Sequence, residues 1–140
     1  MQAVKALGVC VISWLAGLGA YCYLWFRFDG RIRTSELIAV AFWMAFAIWP
    51  FLIFYAVAVS KLNQSAEPRG ALSYGVVCAL IGVLPIALLN LVFGGFSFGQ
   101  LLAPENQLLF AHFGTAGFTF GILYAVFLRP ASATSQRDRE

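Results

Sequence analysis

Charged residues divide the chain into four long uncharged runs. These runs cover residues 6–26, 37–60, 70–104 and 106–128. A helix rises about 1.5 Å per residue, so about 20 apolar residues cross a hydrocarbon core of roughly 30 Å. The first, second and fourth runs each have the length of one crossing, and the third is longer than one crossing requires.

A glycine-rich stretch at residues 94–100 marks the end of the crossing in the third run. Lipid offers no hydrogen-bond partners to the backbone, and the alternation typical of a membrane β-strand is missing, so the spans are expected to be helices. The pattern predicts an all-α, integral membrane four-helix bundle in one domain, residues 1–128. The predicted spans are about 4–26, 36–60, 71–93 and 107–128, and a flexible polar tail follows at residues 129–140.

The second and fourth spans resemble each other when the chain is shifted by 69 residues. Seven of the 22 positions from 36 to 57 are then identical, among them Phe51 with Phe120 and Tyr55 with Tyr124. Membrane sequences also share letters through composition alone. Two tandem helical hairpins are therefore an option for the fold, beside a bundle without internal repeat.

Composition supports a membrane location. Apolar residues make up 61% of the 140 residues and charged residues 11%, against about 25% charged in a typical soluble domain. A chain this small cannot bury so much apolar surface by itself, which excludes a soluble monomer. The net charge of +3 suits an anionic lipid surface, and without a long basic patch no nucleic-acid partner is expected.

The distribution of basic residues predicts the orientation. With four spans, the termini and the middle loop share one side of the membrane, and that side holds six basic residues against three in the first loop. The positive-inside bias then places both termini in the cytoplasm. The first loop argues against this, because Arg27, Arg31 and Arg33 make it the most basic short loop. The expected membrane is a plasma membrane or a bacterial inner membrane.

Small residues mark the expected helix contacts. In lipid, close van der Waals packing drives helix association, and small side chains permit it. The fourth span presents three glycines on one face, and the third span has a similar small stripe. The helix-packing candidates are Gly75, Ala79, Gly82, Gly114, Gly117 and Gly121.

A second face of the fourth span carries the polar residues His112, Thr115 and Thr119. Asn90 of the third span and His112 are expected at a similar depth, close enough to interact directly or through a water, because buried polar groups need partners. Interhelical hydrogen bonding is one interpretation. The alternative is a lining for a small solute, an ion or a proton path, formed by Asn90, His112, Thr115 and Thr119.

His112 is the only histidine, so a haem held by two histidines would need a homodimer, and a single axial ligand is the other way to hold haem. A haem- or quinone-binding subunit is thus a weaker alternative, and no cofactor or metal is expected.

Pro50 and Pro85 lie inside predicted spans. Each removes a backbone donor, which produces either a static kink or a hinge.

Charged residues, which many catalytic sites require, are missing from the apolar centres of the predicted spans. The spans contain no Asp, Glu, Lys or Arg in their apolar centres, and the sequence has no phosphate loop and no nucleophile–base pair. An enzyme is therefore not expected. The leading hypothesis is a small polytopic membrane protein that acts through helix–helix contacts, as a homo-oligomer or as an accessory subunit of a membrane complex. A permeation protein is the main alternative.

Overall fold

The computed structural model describes residues 2–64, 70–93, 99 and 102–128, and over these ranges it contains helices and no strand. The helices are α1 (Gln2–Asp29), α2 (Thr34–Gln64), α3 (Ala71–Phe93) and α4 (Pro104–Leu123), and a π-helical turn, Tyr124–Leu128, continues α4. The predicted all-helical fold is confirmed. Four helices are long and apolar enough to cross a membrane.

The helices and the predicted spans differ mainly at their ends. Both α1 and α2 extend beyond their spans in both directions, α3 has the predicted bounds, and α4 begins three residues earlier. The predicted tail at 129–140 and, apart from Gly99, the glycine-rich stretch at 94–100 lie outside the described residues. Four of the six basic residues assigned to the cytoplasmic side also lie outside them: Arg69, Arg129, Arg137 and Arg139.

A glycine ends α1. Gly30 follows the helix with a positive φ of 68°, and its N–H donates to the Phe26 carbonyl at 2.9 Å. Glycine adopts this left-handed conformation without the penalty that a Cβ carries, so it closes the last turn of a helix. The chain can then reverse within a few residues and begin α2 at Thr34.

Proline begins α4. Ala103 is extended, and Pro104 occupies the first turn, where its missing N–H costs nothing and its fixed φ favours a helix. Glu105 in the same turn complements the positive end of the helix dipole. Gln107 Nε2 also donates to the Leu102 carbonyl at 2.7 Å. These contacts fix the start of the helix on which the rest of the bundle packs.

The central helix of the bundle is α4. It packs most extensively against α3 and α1, whereas α2 makes fewer close backbone approaches to any helix. The α1–α2 pair is packed far less closely than the α3–α4 pair, so the two halves of the chain are not arranged alike.

Aromatic side chains attach α2 to the other helices. The rings of Phe51 and Phe113 are 4.4 Å apart between centroids, and those of Tyr55 and Phe120 are 5.5 Å apart. One narrow stripe of α2 is buried, and its members are Met44, Ile48, Tyr55, Val59 and Leu62. Large rings hold two helix axes farther apart than glycines do. This explains why α2 is the peripheral helix.

Candidate functional site

Glycines bring α3 and α4 together. A Cβ added to Gly121 would meet the carbonyl oxygen of Tyr74, and one added to Gly117 would meet that of Cys78. From the other side, a Cβ on Gly82 would lie 2.5 Å from the Phe113 carbonyl oxygen. The two backbones therefore touch along a line of glycines, and no larger residue fits at these three positions without separating the helices.

The other packing candidates lie at the margins of this contact. A Cβ on Gly75 would meet the side chains of Ile122 and Phe118 at 3.0 Å, and one on Gly114 would lie 3.2 Å from Val83. Ala79 is half-buried. Side chains rather than backbone face these positions, so they are less constrained than Gly82, Gly117 and Gly121.

The Tyr55 hydroxyl reaches from α2 into the line of glycines. It would lie 2.6 Å from a Cβ on Gly82 and 3.0 Å from one on Gly117, and it donates a hydrogen bond to the Phe113 carbonyl at 3.1 Å. Tyr55 is fully buried. The glycines thus make room for the hydroxyl as well as for the two backbones. This role of Tyr55 is not predicted from the sequence, because periodicity within α3 and α4 does not show which side chain of α2 fills the space beside their glycines.

A second small-residue stripe joins α1 to α4. Val9, Ser13 and Gly17 are buried at a spacing of four residues, and the Ser13 hydroxyl donates to the Val9 carbonyl at 2.6 Å. A Cβ on Gly17 would lie 2.6 Å from the His112 carbonyl oxygen and 2.9 Å from the Ala116 Cβ. The sequence analysis missed this stripe, which the four-residue spacing of Ser13 and Gly17 could have indicated.

His112 lies inside the α1–α4 contact. It is fully buried, its ring meets Phe113 edge-on at 4.9 Å, and its Nδ1 would lie 3.1 Å from a Cβ on Gly17. Neither ring nitrogen makes a hydrogen bond of good geometry among the described residues, although the Gly17 backbone lies beside the ring, and the buried Trp14 Nε1 is also without a partner there. Buried polar atoms without partners are rare, so His112 is the most unusual side chain of the bundle.

The direct hydrogen bond expected between Asn90 and His112 does not form among the described residues. Asn90 Nδ2 donates to the Ile86 carbonyl of its own helix at 2.9 Å, and His112 is unpartnered. The expectation used depth alone, but α3 packs on the glycine face of α4 while His112 faces α1. Thr115 and Thr119 are half-buried on α4. Asn90 therefore does not join these three residues through a hydrogen bond to His112.

A polar cluster ties three segments together at the other end of the bundle. The Tyr74 hydroxyl of α3 donates to Asn63 Oδ1 of α2 at 2.6 Å, and Asn63 Nδ2 donates to the Tyr124 hydroxyl at 2.8 Å. The rings of Tyr74 and Tyr124 stack at 6.3 Å. Tyr124 begins the π-helical turn. This cluster is not predicted from the sequence, because its members are 11 to 61 residues apart.

Both hinge candidates lie within uninterrupted helices. α2 continues through Pro50 and α3 through Pro85. Pro85 is half-buried, whereas Pro50 is exposed on the outer side of α2. Since proline has no N–H, the Phe46 carbonyl loses its usual donor four residues later. Because Phe46 is also exposed, that carbonyl belongs to the outer side of α2.

The exposed faces of α2 and α3 differ in chemistry. Exposed large residues on α3 are mainly aliphatic: Leu72, Val76, Leu80, Leu84, Leu88, Leu89 and Val92. The corresponding face of α2 is mainly aromatic: Phe42, Trp43, Phe46, Trp49 and Phe54. We call the latter set the aromatic face of α2. Aliphatic chains resemble lipid tails, whereas aromatic residues are enriched at protein–protein contacts.

The donor set for a cofactor is small. No group of three or more His, Cys, Asp or Glu side chains capable of holding a metal occurs in the described ranges. His112 offers one imidazole, and α1 covers it, so a haem iron or a quinone could reach its nitrogens only after α1 moved away. The geometry does not favour a cofactor at this residue.

Comparisons with known proteins add no relationship. No family model, no curated protein and no solved structure matches the chain.

Proposed function

We propose that the protein is an integral membrane protein that acts through helix–helix contacts, as a homo-oligomer or as an accessory subunit of a membrane complex. All four helices cross the bilayer in this proposal, and lipid covers the aliphatic face of α3. The bundle has α4 at its centre, and α2 is left as the helix that is free to contact another chain.

The aromatic face of α2 is the observation that carries this proposal. α2 has few close approaches within its own chain, yet its outer side carries two tryptophans and three phenylalanines. Lipid solvates leucine and valine as well as it solvates phenylalanine, so a face that only met lipid would not need this composition. Rigid aromatic side chains give a large contact area at a low entropic cost, which suits a protein contact.

Co-isolation of two differently tagged copies tests the homo-oligomer directly. Both forms are expressed together, extracted in mild detergent, and purified through one tag. Recovery of the second tag, or of a stoichiometric second membrane protein, supports the proposal. Mixing the two forms only after extraction is the control for exchange and aggregation.

The orientation is part of the same proposal. Both termini and the α2–α3 connection lie in the cytoplasm of a plasma membrane or a bacterial inner membrane, as the basic residues favour. A membrane-impermeant thiol reagent tests this on intact cells. A cysteine placed at exposed Arg31 is expected to react, and one placed at exposed Gln64 is expected to react only after permeabilisation. The reverse pattern would invert the topology.

A permeation protein is the second candidate, and the unpartnered His112 is the observation that favours it. Intramembrane ionisable groups are functional suspects because they are costly to bury. The path would run between α1 and α4, past His112, Thr115 and Thr119, and Asn90 would not be needed. Liposome flux of protons and small ions, compared between the wild type and His112→Ala, decides this. Absence of flux in both removes the candidate.

Tandem hairpins remain a proposal about ancestry. Similarity between α2 and α4 supports them, and the unequal packing of the two halves argues against a repeat that still acts as a structural unit.

A further inference from the structure

The aromatic face of α2 carries a matched hydrogen-bond donor and acceptor at its centre. We propose that two copies of this chain dimerise through this face, with the Trp49 indole N–H of each copy donating to the Phe46 carbonyl of the other. The inference rests on the proposed function, and it names the partner and the surface.

The acceptor comes from Pro50. Its ring removes the N–H that would otherwise bond the Phe46 carbonyl, and both residues lie on the exposed side of α2. Phe46 is 63% exposed. Proline within a membrane helix is tolerated where a neighbouring group satisfies the freed carbonyl. No polar side chain of this bundle forms a hydrogen bond there among the described residues.

The donor is the Trp49 indole. Trp49 is the central residue of α2, is 67% exposed, and makes no hydrogen bond within the described part of the chain. An exposed tryptophan near a membrane interface can use water and headgroups for its N–H. The middle of a 31-residue helix is far from both interfaces, so this N–H needs a protein acceptor.

Donor and acceptor have the arrangement that a two-fold axis requires. At roughly 100° per residue, Trp49 lies on one side of Phe46 and Pro50 lies on the other. Side chains tilt toward the helix N-terminus while carbonyls point toward the C-terminus, which brings the indole and the carbonyl to a similar depth. In a parallel pair of identical helices, the donor of each copy then faces the acceptor of the other.

This complementarity selects a second copy over other occupants. Lipid tails provide neither a donor nor an acceptor, so a lipid-covered α2 leaves two polar groups unsatisfied per chain. An unrelated subunit would have to supply both groups at the same depth. A second copy supplies both groups by symmetry. The partial positive charge on the indole N–H then meets the partial negative charge on the carbonyl oxygen.

Association in liposomes tests the proposal. Copies carrying donor or acceptor fluorescent proteins at the C-terminus are reconstituted at increasing dilution in lipid, and energy transfer gives the dimer dissociation constant. Trp49→Phe keeps the ring and removes the N–H. Pro50→Ala returns an N–H to the Phe46 carbonyl and so removes the free acceptor. Trp43→Phe is the matched control, because Trp43 is equally exposed but lies away from the freed carbonyl.

We expect Trp49→Phe to raise the dissociation constant about fivefold to tenfold, because two symmetry-related bonds are lost. Pro50→Ala is expected to do the same, and Trp43→Phe to leave it unchanged. Circular dichroism checks that each variant keeps its helix content. If the Trp49→Phe and Pro50→Ala variants associate as tightly as the wild type, this surface is overturned while the proposed function is left intact. A wild type that never associates with itself overturns the dimer, and the proposed function then depends on a different subunit.

Discussion

The Tyr55 hydroxyl of α2 donates a hydrogen bond to the Phe113 carbonyl of α4 at 3.1 Å, within the line of glycines along which α3 and α4 touch. Gly82 and Gly117 leave the space that this hydroxyl occupies. One side chain of the peripheral helix is thus built into the backbone contact between α3 and α4. The bond fixes the depth and rotation of α2, and hence the direction in which its aromatic face points.

We expect Tyr55→Phe to lower the free energy of unfolding by about 1 kcal/mol, which is within the range of interhelical hydrogen bonds in membrane proteins. The Phe113 carbonyl can keep its intrahelical partner, so no orphaned acceptor adds to the loss. Unfolding by SDS in mixed micelles measures the change. Tyr23→Phe is the control, since Tyr23 is exposed on α1. An equal effect of both substitutions would contradict the role of Tyr55.

Gly121→Ala is expected to destabilise the bundle by about 1–3 kcal/mol or more, because the new methyl group would meet the Tyr74 backbone. The same change at Gly19 meets no atom within 4 Å and should be neutral or stabilising. Comparing both variants by SDS unfolding separates packing from helix propensity. A tolerated alanine at 121 would show that α3 and α4 are not in backbone contact.

Asn63→Ala should cost about 1–3 kcal/mol, because it removes one bond to Tyr74 and one to Tyr124. Gln64→Ala, at the next and exposed position, is the matched control and is expected to be neutral. A double-mutant cycle with Tyr124→Phe should give a non-zero coupling energy. If the effects of the two substitutions on the free energy of unfolding were strictly additive, the cluster would not connect α2 to the end of α4.

His112→Leu distinguishes a structural histidine from a functional one. Both ring nitrogens lack partners, so an apolar side chain of similar size should leave the stability equal or higher by about 1 kcal/mol. Self-association should also persist, because His112 faces α1 and not the aromatic face of α2. SDS unfolding and energy transfer in liposomes measure the two properties. A large loss of stability would reveal that the imidazole has a partner in the bilayer.

The sequence predicts the helices well because one physical cost decides them. Charged side chains are expensive in a hydrocarbon core, so three of the four uncharged runs lie within a continuous helical segment, and the longer third run contains α3. The bounds at Gly30 and Pro104 follow from the local chemistry of helix ends.

The contacts between helices were harder to predict, because they depend on rotation as well as depth. Asn90 and His112 are predicted to pair from a similar depth, but Gly82 of α3 lies against Phe113, so Asn90 lies about two helical turns beyond the level of His112. The roles of Tyr55 and Asn63 each depend on three segments meeting, and the role of Gly17 depends on the contact between α1 and α4. Periodicity within one helix identifies a face but does not say which neighbour covers it.

Native mass measurement of the protein extracted in mild detergent tests the central claim most directly. If the protein acts through helix contacts, the dominant species should exceed the 15.3 kDa of one chain, either as a multiple of that mass or with one constant additional subunit. A single chain of 15.3 kDa, found in every mild detergent and at every protein concentration with no stoichiometric companion, would contradict it.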